Sequence, residues 1–188
     1  QAATYMADGF SRSSGQVGVS LVVPGPGIQN ASAGIGTAYA ASSKVLSISG
    51  QIPRDMIGVD RGLLHEINDQ LDLIKPITKW SKRVLYASEI PEAVTDAFYH
   101  LNTGRPRPVH IEIPPEALTE STDFSLPEKG NYTQTPPSKQ SLKNAVSLIH
   151  SAKNPLIIAG GGCISSNAGE HLMRFAELLQ SPIITTPE

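Results

Sequence analysis

Val17-Gly-Val-Ser-Leu-Val-Val-Pro-Gly-Pro-Gly-Ile-Gln-Asn30 decides how this chain is read. An uncharged run rich in β-branched residues enters the turn Pro24-Gly25-Pro26-Gly27. Small residues follow at once: Ala31, Ala33, Gly34, Gly36, Ala38, Ala40 and Ala41. The first part predicts a strand over Gln16–Val23, buried on both faces as in a parallel sheet. The second predicts a helix over Ile28–Ser43 that can approach that sheet closely. The carboxyl end of such a strand is where an open parallel sheet presents backbone to a ligand.

Working outward, the same alternation continues. Gln1–Ser13 is Ala-rich and helical in pattern, stopped by Gly15. Lys44–Ser49 predicts the next strand, left through Gly50-Gln51-Ile52-Pro53, and Asp55–Asp72 reads as irregular or partly helical. Ile77–Leu85 predicts a strand. Ser88 reads as the cap of a helix over Glu89–Leu101, with Ile90, Val94, Ala97, Phe98 and Leu101 at helical spacing and Asn102-Thr103-Gly104 closing it. Val109–Ile113 predicts a strand ended by Pro114-Pro115. Thr119–Pro137 is polar and aperiodic, with Asn131, Gln134 and Pro136-Pro137, and reads as a linker. Beyond it Ser138 caps a helix, Pro155–Ala159 is a strand, Gly160-Gly161-Gly162 a turn, Asn167–Leu179 a helix and Pro182–Thr185 a strand. The fold class expected is α/β: a parallel sheet flanked by helices over 1–118, a linker over 119–137, and over 138–188 the start of a second, Rossmann-like α/β domain.

Composition narrows the function classes. Among 188 residues the formal charge is −2, and scattered Lys and Arg make no basic face, which disfavours nucleic-acid binding. No apolar run approaches a membrane span. The single Cys163 excludes an internal disulfide and suits a reducing cytoplasm. No Cys/His spacing suggests zinc, and no Gly-x-Ser-x-Gly elbow supports Ser-His-Asp hydrolysis. The chain opens on Gln1-Ala2-Ala3 and stops at Thr186-Pro187-Glu188, right after a strand-like run, so it is expected to be an internal fragment of a longer protein.

Three stretches, in this order and spacing, carry a family resemblance: Ala7-Asp8-Gly9-Phe10-Ser11-Arg12, Gly25-Pro26-Gly27-Ile28-Gln29-Asn30, and Gly104-Arg105-Pro106 with the strand behind it. Together they resemble the rear of the pyrimidine-binding domain and the opening of the central domain of thiamine-diphosphate enzymes of the acetolactate-synthase-like superfamily. The resemblance covers essentially the whole chain. It implies an enzyme that decarboxylates or cleaves a 2-oxo acid such as pyruvate and transfers or releases the resulting unit. It also implies a homodimer or tetramer with the coenzyme bent between subunits, and a Mg²⁺ ion held by residues outside this chain. The family's activating glutamate directly precedes the residue matching Gln1, so no acid here takes its role. The fragment alone is expected to be inactive.

By this resemblance Gly25, Pro26, Gly27 and Asn30 line the pyrimidine pocket. Glycines let backbone approach a flat ring, and Asn30 can donate and accept. The plain alternative is a tight turn with Asn30 as helix cap. Leu64, His65 and Glu66 align with the Phe-Gln-Glu of the acetolactate-synthase loop, which here is longer through Asn68-Asp69-Gln70-Leu71. His65 is a candidate proton-transfer group near neutral pH, or else a loop histidine bonded to backbone. Glu66 is a second candidate. Gln51 stands where the family has Gly-Gln, either supporting the active-site loop or marking a turn. No metal ligand is assigned. Gly160-Gly161-Gly162 opens the central domain, where FAD is a candidate cofactor and a tight connection is the alternative.

Departures from the pattern bear on substrate. The Phe-Gln pair is absent, Ile113-Pro114-Pro115-Glu116 lacks a family lysine, and Arg107 replaces a small residue. They favour a relative with another acceptor or 2-oxo acid. Two other classes stand beside this one. A nicotinamide oxidoreductase fails two checks: Asn30 fills the third glycine position, and the next strand ends Ser49-Gly50-Gln51 without a ribose-binding acid. A non-catalytic relative or regulatory subunit is compatible with these residues.

Overall fold

The computed structural model describes residues 1–125, 127, 128, 130–132 and 135–187. The linker expectation at Gln134 and the chain end at Glu188 lie outside them. The chain divides into two compact units, Gln1–Gln134 and Thr135–Glu188.

In the first unit the elements run α1 (Ala2–Ser14), β1 (Gly18–Val22), α2 (Pro26–Ala40), β2 (Val45–Gly50), α3 (Gln70–Ile74), β3 (Trp80–Arg83), α4 (Ile90–Asn102), β4 (Val109–Ile113) and α5 (Pro115–Thr119). The four strands form one parallel sheet in the order β1-β2-β4-β3. Because side chains alternate across a strand, the register separates two chemistries. Leu46 of β2 pairs with Val109 and Ile48 with Ile111. That face packs under α4, where Ala93, Ala97 and Leu101 are fully buried. Each large apolar side chain so buried contributes about 2 kcal/mol. The opposite face carries Ser47 beside His110 and Ser49 beside Glu112, with Ser20 next to Ser47 and Arg83 next to Glu112. This polar face is just as buried; Ser47, Ser49, His110 and Glu112 are almost without exposure.

Small residues bring α1 close to β1 and to α2. A Cβ on Gly18 would stand 2.0 Å from the Ala7 carbonyl oxygen, and one on Gly34 2.3 Å from Thr4 Oγ1. The Ala7–Arg12 stretch serves this packing. Ala7, Asp8 and Ser11 are buried, Asp8 pairs with Arg12 at 3.7 Å, and Ser11 Oγ accepts the Lys44 N–H at the entry to β2.

Several elements differ from the sequence reading. α2 begins at Pro26 rather than Ile28, because proline presets the first helical φ and Gly25 makes the break before it. Ser88 is not the cap of α4. It lies in a 3₁₀ turn, Ala87–Glu89, where the Glu89 carboxylate accepts the Leu85 and Tyr86 N–H groups, and α4 starts at Ile90. The strand expected over Ile77–Leu85 shortens to β3, because Lys75–Ile77 forms a 3₁₀ turn around Pro76. Pro115 opens α5 as well as ending β4. Glu120, just past α5, is bound by the Arg54 guanidinium and the Ala87 N–H, both of which hold its carboxyl below the usual range, the backbone N–H foremost.

The second unit comprises α6 (Lys139–Ser151), β5 (Ile157–Ala159), α7 (Gly161–Ser165), α8 (Gly169–Leu179) and β6 (Ile183–Thr185). Ser138 Oγ accepts the Ser141 N–H and caps α6. β5 and β6 pair in parallel. The triple glycine is not a plain turn: Gly161 and Gly162 are the first residues of α7. Among its described residues this unit buries only Ala159, Ala176 and Ser181. No described helix in either unit is long and apolar enough to cross a membrane.

Candidate functional site

The turn after β1 is shaped from both sides. Gly25 has φ +56° and ψ −110°, the mirror image of an extended conformation and closed to side chains. A Cβ there would stand 2.3 Å from the carbonyl oxygen of His65. So the backbone of His65 lies directly against Gly25, and residues forty apart in sequence share one wall. Helix α2 then starts without a side-chain cap. Pro26 has no N–H, and the Gly27 N–H meets the Pro24 carbonyl at 3.3 Å. Pro26 and Asn30 are exposed there and Gly27 is half-buried. Asn30 is the fifth residue of α2, so it is not the helix cap.

The loop that delivers His65 is unusual backbone. Gly58, Asp60, Gly62 and His65 all have positive φ. Glu66 holds it from within: its carboxylate accepts the Leu63 N–H at 2.7 Å and the Arg61 N–H at 3.4 Å. These backbone donors, Leu63 first, keep the Glu66 carboxyl below its ordinary range. In this structure Glu66 shapes the loop, while His65 is half-buried with its main chain on Gly25.

Behind the turn lies a buried polar cluster that the sequence reading did not assemble. Gln70 Oε1 accepts the Gly25 N–H at 2.9 Å. Its Nε2 reaches Ser49 Oγ at 2.8 Å, the Gly50 carbonyl at 3.0 Å and Glu112 Oε2 at 3.0 Å. Ser49 Oγ is 3.3 Å from His110 Nε2. Glu112 also takes Arg83 Nε and, at 3.2 Å, Gln51 Nε2. Gln51 Oε1 meanwhile accepts the Ile52 N–H at 2.8 Å. Gln51 therefore supports the cluster from its rim. Burial pushes the His110 imidazole down to about 4, so it is neutral near pH 7. Arg83 Nη2 adds a 3.5 Å contact to Asp69, whose own carboxylate caps α3 through the Asp72 N–H.

One signal for this cluster is present in the sequence. His110 and Glu112 alternate with Val109, Ile111 and Ile113, as Ser47 and Ser49 alternate with Leu46 and Ile48. Polar residues at period two inside strands expected to be covered on both faces call for partners. Which loop supplies them is not readable from spacing. Among the described residues no group of three or more His, Cys, Asp or Glu is placed to hold a metal ion.

Comparison with known proteins gives matches at both ends of the chain. Residues 1–73 match the thiamine pyrophosphate enzyme N-terminal TPP binding domain, and residues 142–188 match the central domain of the same enzymes. The chain belongs to the thiamine pyrophosphate enzyme family. It is 42% identical over 99% of its length to a probable acetolactate synthase large subunit of Methanocaldococcus jannaschii, covering 32% of that protein. It is 41% identical over 99% of its length to an acetolactate synthase large subunit of Buchnera aphidicola, covering 33%. A probable 2-ketoarginine decarboxylase of Pseudomonas aeruginosa is 37% identical over 99% of the chain, again with 33% covered. The chain thus spans about a third of the length of the curated relatives it matches. Residues 1–73 include the whole turn, the His65 loop and Gln70.

Proposed function

We propose that this chain is the coenzyme-facing part of a longer thiamine-diphosphate-dependent enzyme, a carboligase or decarboxylase that acts on a 2-oxo acid such as pyruvate. The observation that carries the reading is the cradle at Gly25. Its backbone has no room for a Cβ because the His65 main chain lies against it, and Pro26, Gly27 and Asn30 stand at the opening. A flat, polar aminopyrimidine suits such a wall, since it needs close backbone and a side chain that can both donate and accept. Thiamine diphosphate, when bound, supplies the carbanion chemistry. The residues of this chain would bind and orient it: Gly25 and Gly27 through the turn they allow, Asn30 by hydrogen bonding, with His65 moving a proton at the substrate side. Mg²⁺ for the diphosphate would come with residues outside this chain, FAD would occupy the central domain if present, and the assembly would be a cytoplasmic homodimer or tetramer.

The relatives bear both synthase and decarboxylase names at similar identity, which is why the reading stops at the 2-oxo acid class. Asn30→Leu in the full-length polypeptide tests it by calorimetric titration with thiamine diphosphate and Mg²⁺. Affinity about tenfold weaker is expected for a lost hydrogen-bonding pair; unchanged affinity removes the pocket assignment. His65→Ala is expected to slow turnover of pyruvate while leaving coenzyme affinity within about threefold. Turnover at the unsubstituted level would withdraw its proton-transfer role.

A further inference from the structure

Gln70 hydrogen-bonds the glycine turn and the sheet ends at once. We infer that Gln70 is a positioning residue for the coenzyme: its amide oxygen fixes the Gly25 N–H, and its amide nitrogen ties that turn to Ser49, Gly50 and Glu112. The inference rests on the pocket reading above and adds to it the residue that sets where the pocket's backbone wall stands.

The chemistry of the cluster fixes the orientation of the amide. Gly25 N–H is a donor, so the group facing it must accept, and Oε1 does so at 2.9 Å. Ser49 Oγ, the Gly50 carbonyl and Glu112 Oε2, all acceptors, lie within 2.8–3.0 Å of Nε2 and share its two N–H groups. A flipped amide would set donor against donor at Gly25 and acceptor against a carbonyl and a carboxylate. Since Ser49 Oγ accepts from Gln70, its own proton is free to point at His110 Nε2, 3.3 Å away. That requires a neutral imidazole, as its burial also dictates. The contacts run from the Gln70 amide through Ser49 to His110, and they converge on Glu112, which accepts from both Gln70 and Arg83.

The cluster lies where water does not compete. Gln70 and Ser49 are 1% exposed, and Glu112 and His110 are 0%. Only a side chain that both accepts and donates, at this length, can serve Gly25 and Glu112 together. Leucine fills similar volume but leaves the buried Gly25 N–H without its acceptor and the Glu112 carboxylate without one of its donors. Gly25 has a positive φ and is pressed by the His65 carbonyl, so it has reason to shift when that acceptor is removed.

The test compares Gln70→Leu with the unsubstituted full-length protein by two measurements. The first is amide hydrogen exchange over residues 23–28 without coenzyme. The second is calorimetric titration with thiamine diphosphate and Mg²⁺, read as affinity and stoichiometry separately. Exchange at the turn about tenfold faster, affinity about tenfold weaker and unchanged stoichiometry are expected. A general loss of folded protein would instead lower the stoichiometry and leave the affinity of the remainder intact, and that result overturns the inference. Unchanged exchange also overturns it, and leaves the pocket reading standing if Asn30→Leu weakens binding. Faster exchange with unchanged affinity overturns the coenzyme role of Gln70. If Asn30→Leu is then silent as well, the pocket reading falls with it.

Discussion

Two turns in this molecule share one sequence signature and differ in what holds them. Both join a parallel strand to a helix through glycines: Pro24–Gly27 after β1 and Gly160–Gly162 after β5. At the first, Gly25 has a φ of +56°, and a Cβ would strike the His65 backbone at 2.3 Å. At the second, Gly160 has a φ of −105° that any residue adopts, with its nearest would-be contact, Thr186 Oγ1, at 3.5 Å. A Cβ on Gly162 would meet nothing within 4 Å. The first turn opens a helix of 15 residues and is backed by Gln70 and the buried cluster. The second opens one of five residues. Glycine content alone marks neither a pocket nor a cofactor. The informative quantity is what stands where the missing side chain would be.

Substituting alanine is the sharpest way to break this comparison. Gly25→Ala meets both a forbidden backbone region and a main-chain clash, and should cost about 3–5 kcal/mol of stability with loss of coenzyme binding. Thermal unfolding and thiamine diphosphate titration of the full-length protein measure both. A variant that melts and binds like the parent would mean the turn has room that this geometry denies.

The cluster behind the first turn predicts an acid limb that the second turn has no counterpart for. The folded-state His110 lies near 4, below its ordinary value, so between about pH 6.5 and 4 the unfolded chain binds the extra proton. Stability is then present in full above that window and falls as pH drops through it, by as much as ~3 kcal/mol. Glu112 and Arg83 flank the ring's partners and are paired with each other. His110→Phe should flatten this limb of the stability–pH curve, and an undiminished slope would show that His110 is not its source.

A smaller effect is expected from Ser49→Ala, which removes one acceptor of Gln70 but leaves Gly50 and Glu112 in place. About 1 kcal/mol of stability should go, with coenzyme affinity within about threefold. A loss as large as that of Gln70→Leu would shift the key contact from the glutamine to the serine. The smallest effect has the opposite sign. Gly162→Ala sits in helical backbone with open space and should stabilise by about 0.5 kcal/mol. A loss there would mean that the second turn, like the first, is pressed against something.

Much of the molecule was legible in the chain itself. Val17–Asn30 announces a buried strand, a break and a close-packed helix, because β-branched runs, Pro-Gly turns and small residues each have a local physical cause. The alternation of such units predicts the parallel sheet. Boundaries were less legible where one residue does two jobs. Pro115 stops β4 and starts α5, and Glu89 rather than Ser88 satisfies the backbone before α4. The candidate residues Gly25, Pro26, Gly27, Asn30 and His65 came from the family resemblance, and the fold sets the His65 backbone against Gly25.

What the sequence could not decide was who partners whom across long separations. Strand propensity places His110 and Glu112 on one face but does not say what covers that face. Nor does spacing show that Gln70, on a helix of five residues, reaches back 45 positions to Gly25 and forward 42 to Glu112. Those contacts exist because the order β1-β2-β4-β3 sets three strand ends side by side and the loop before α3 folds across them. Local chemistry chose the elements; only their assembly made unpaired polar groups into neighbours, since buried donors and acceptors must find one another wherever the chain brings them.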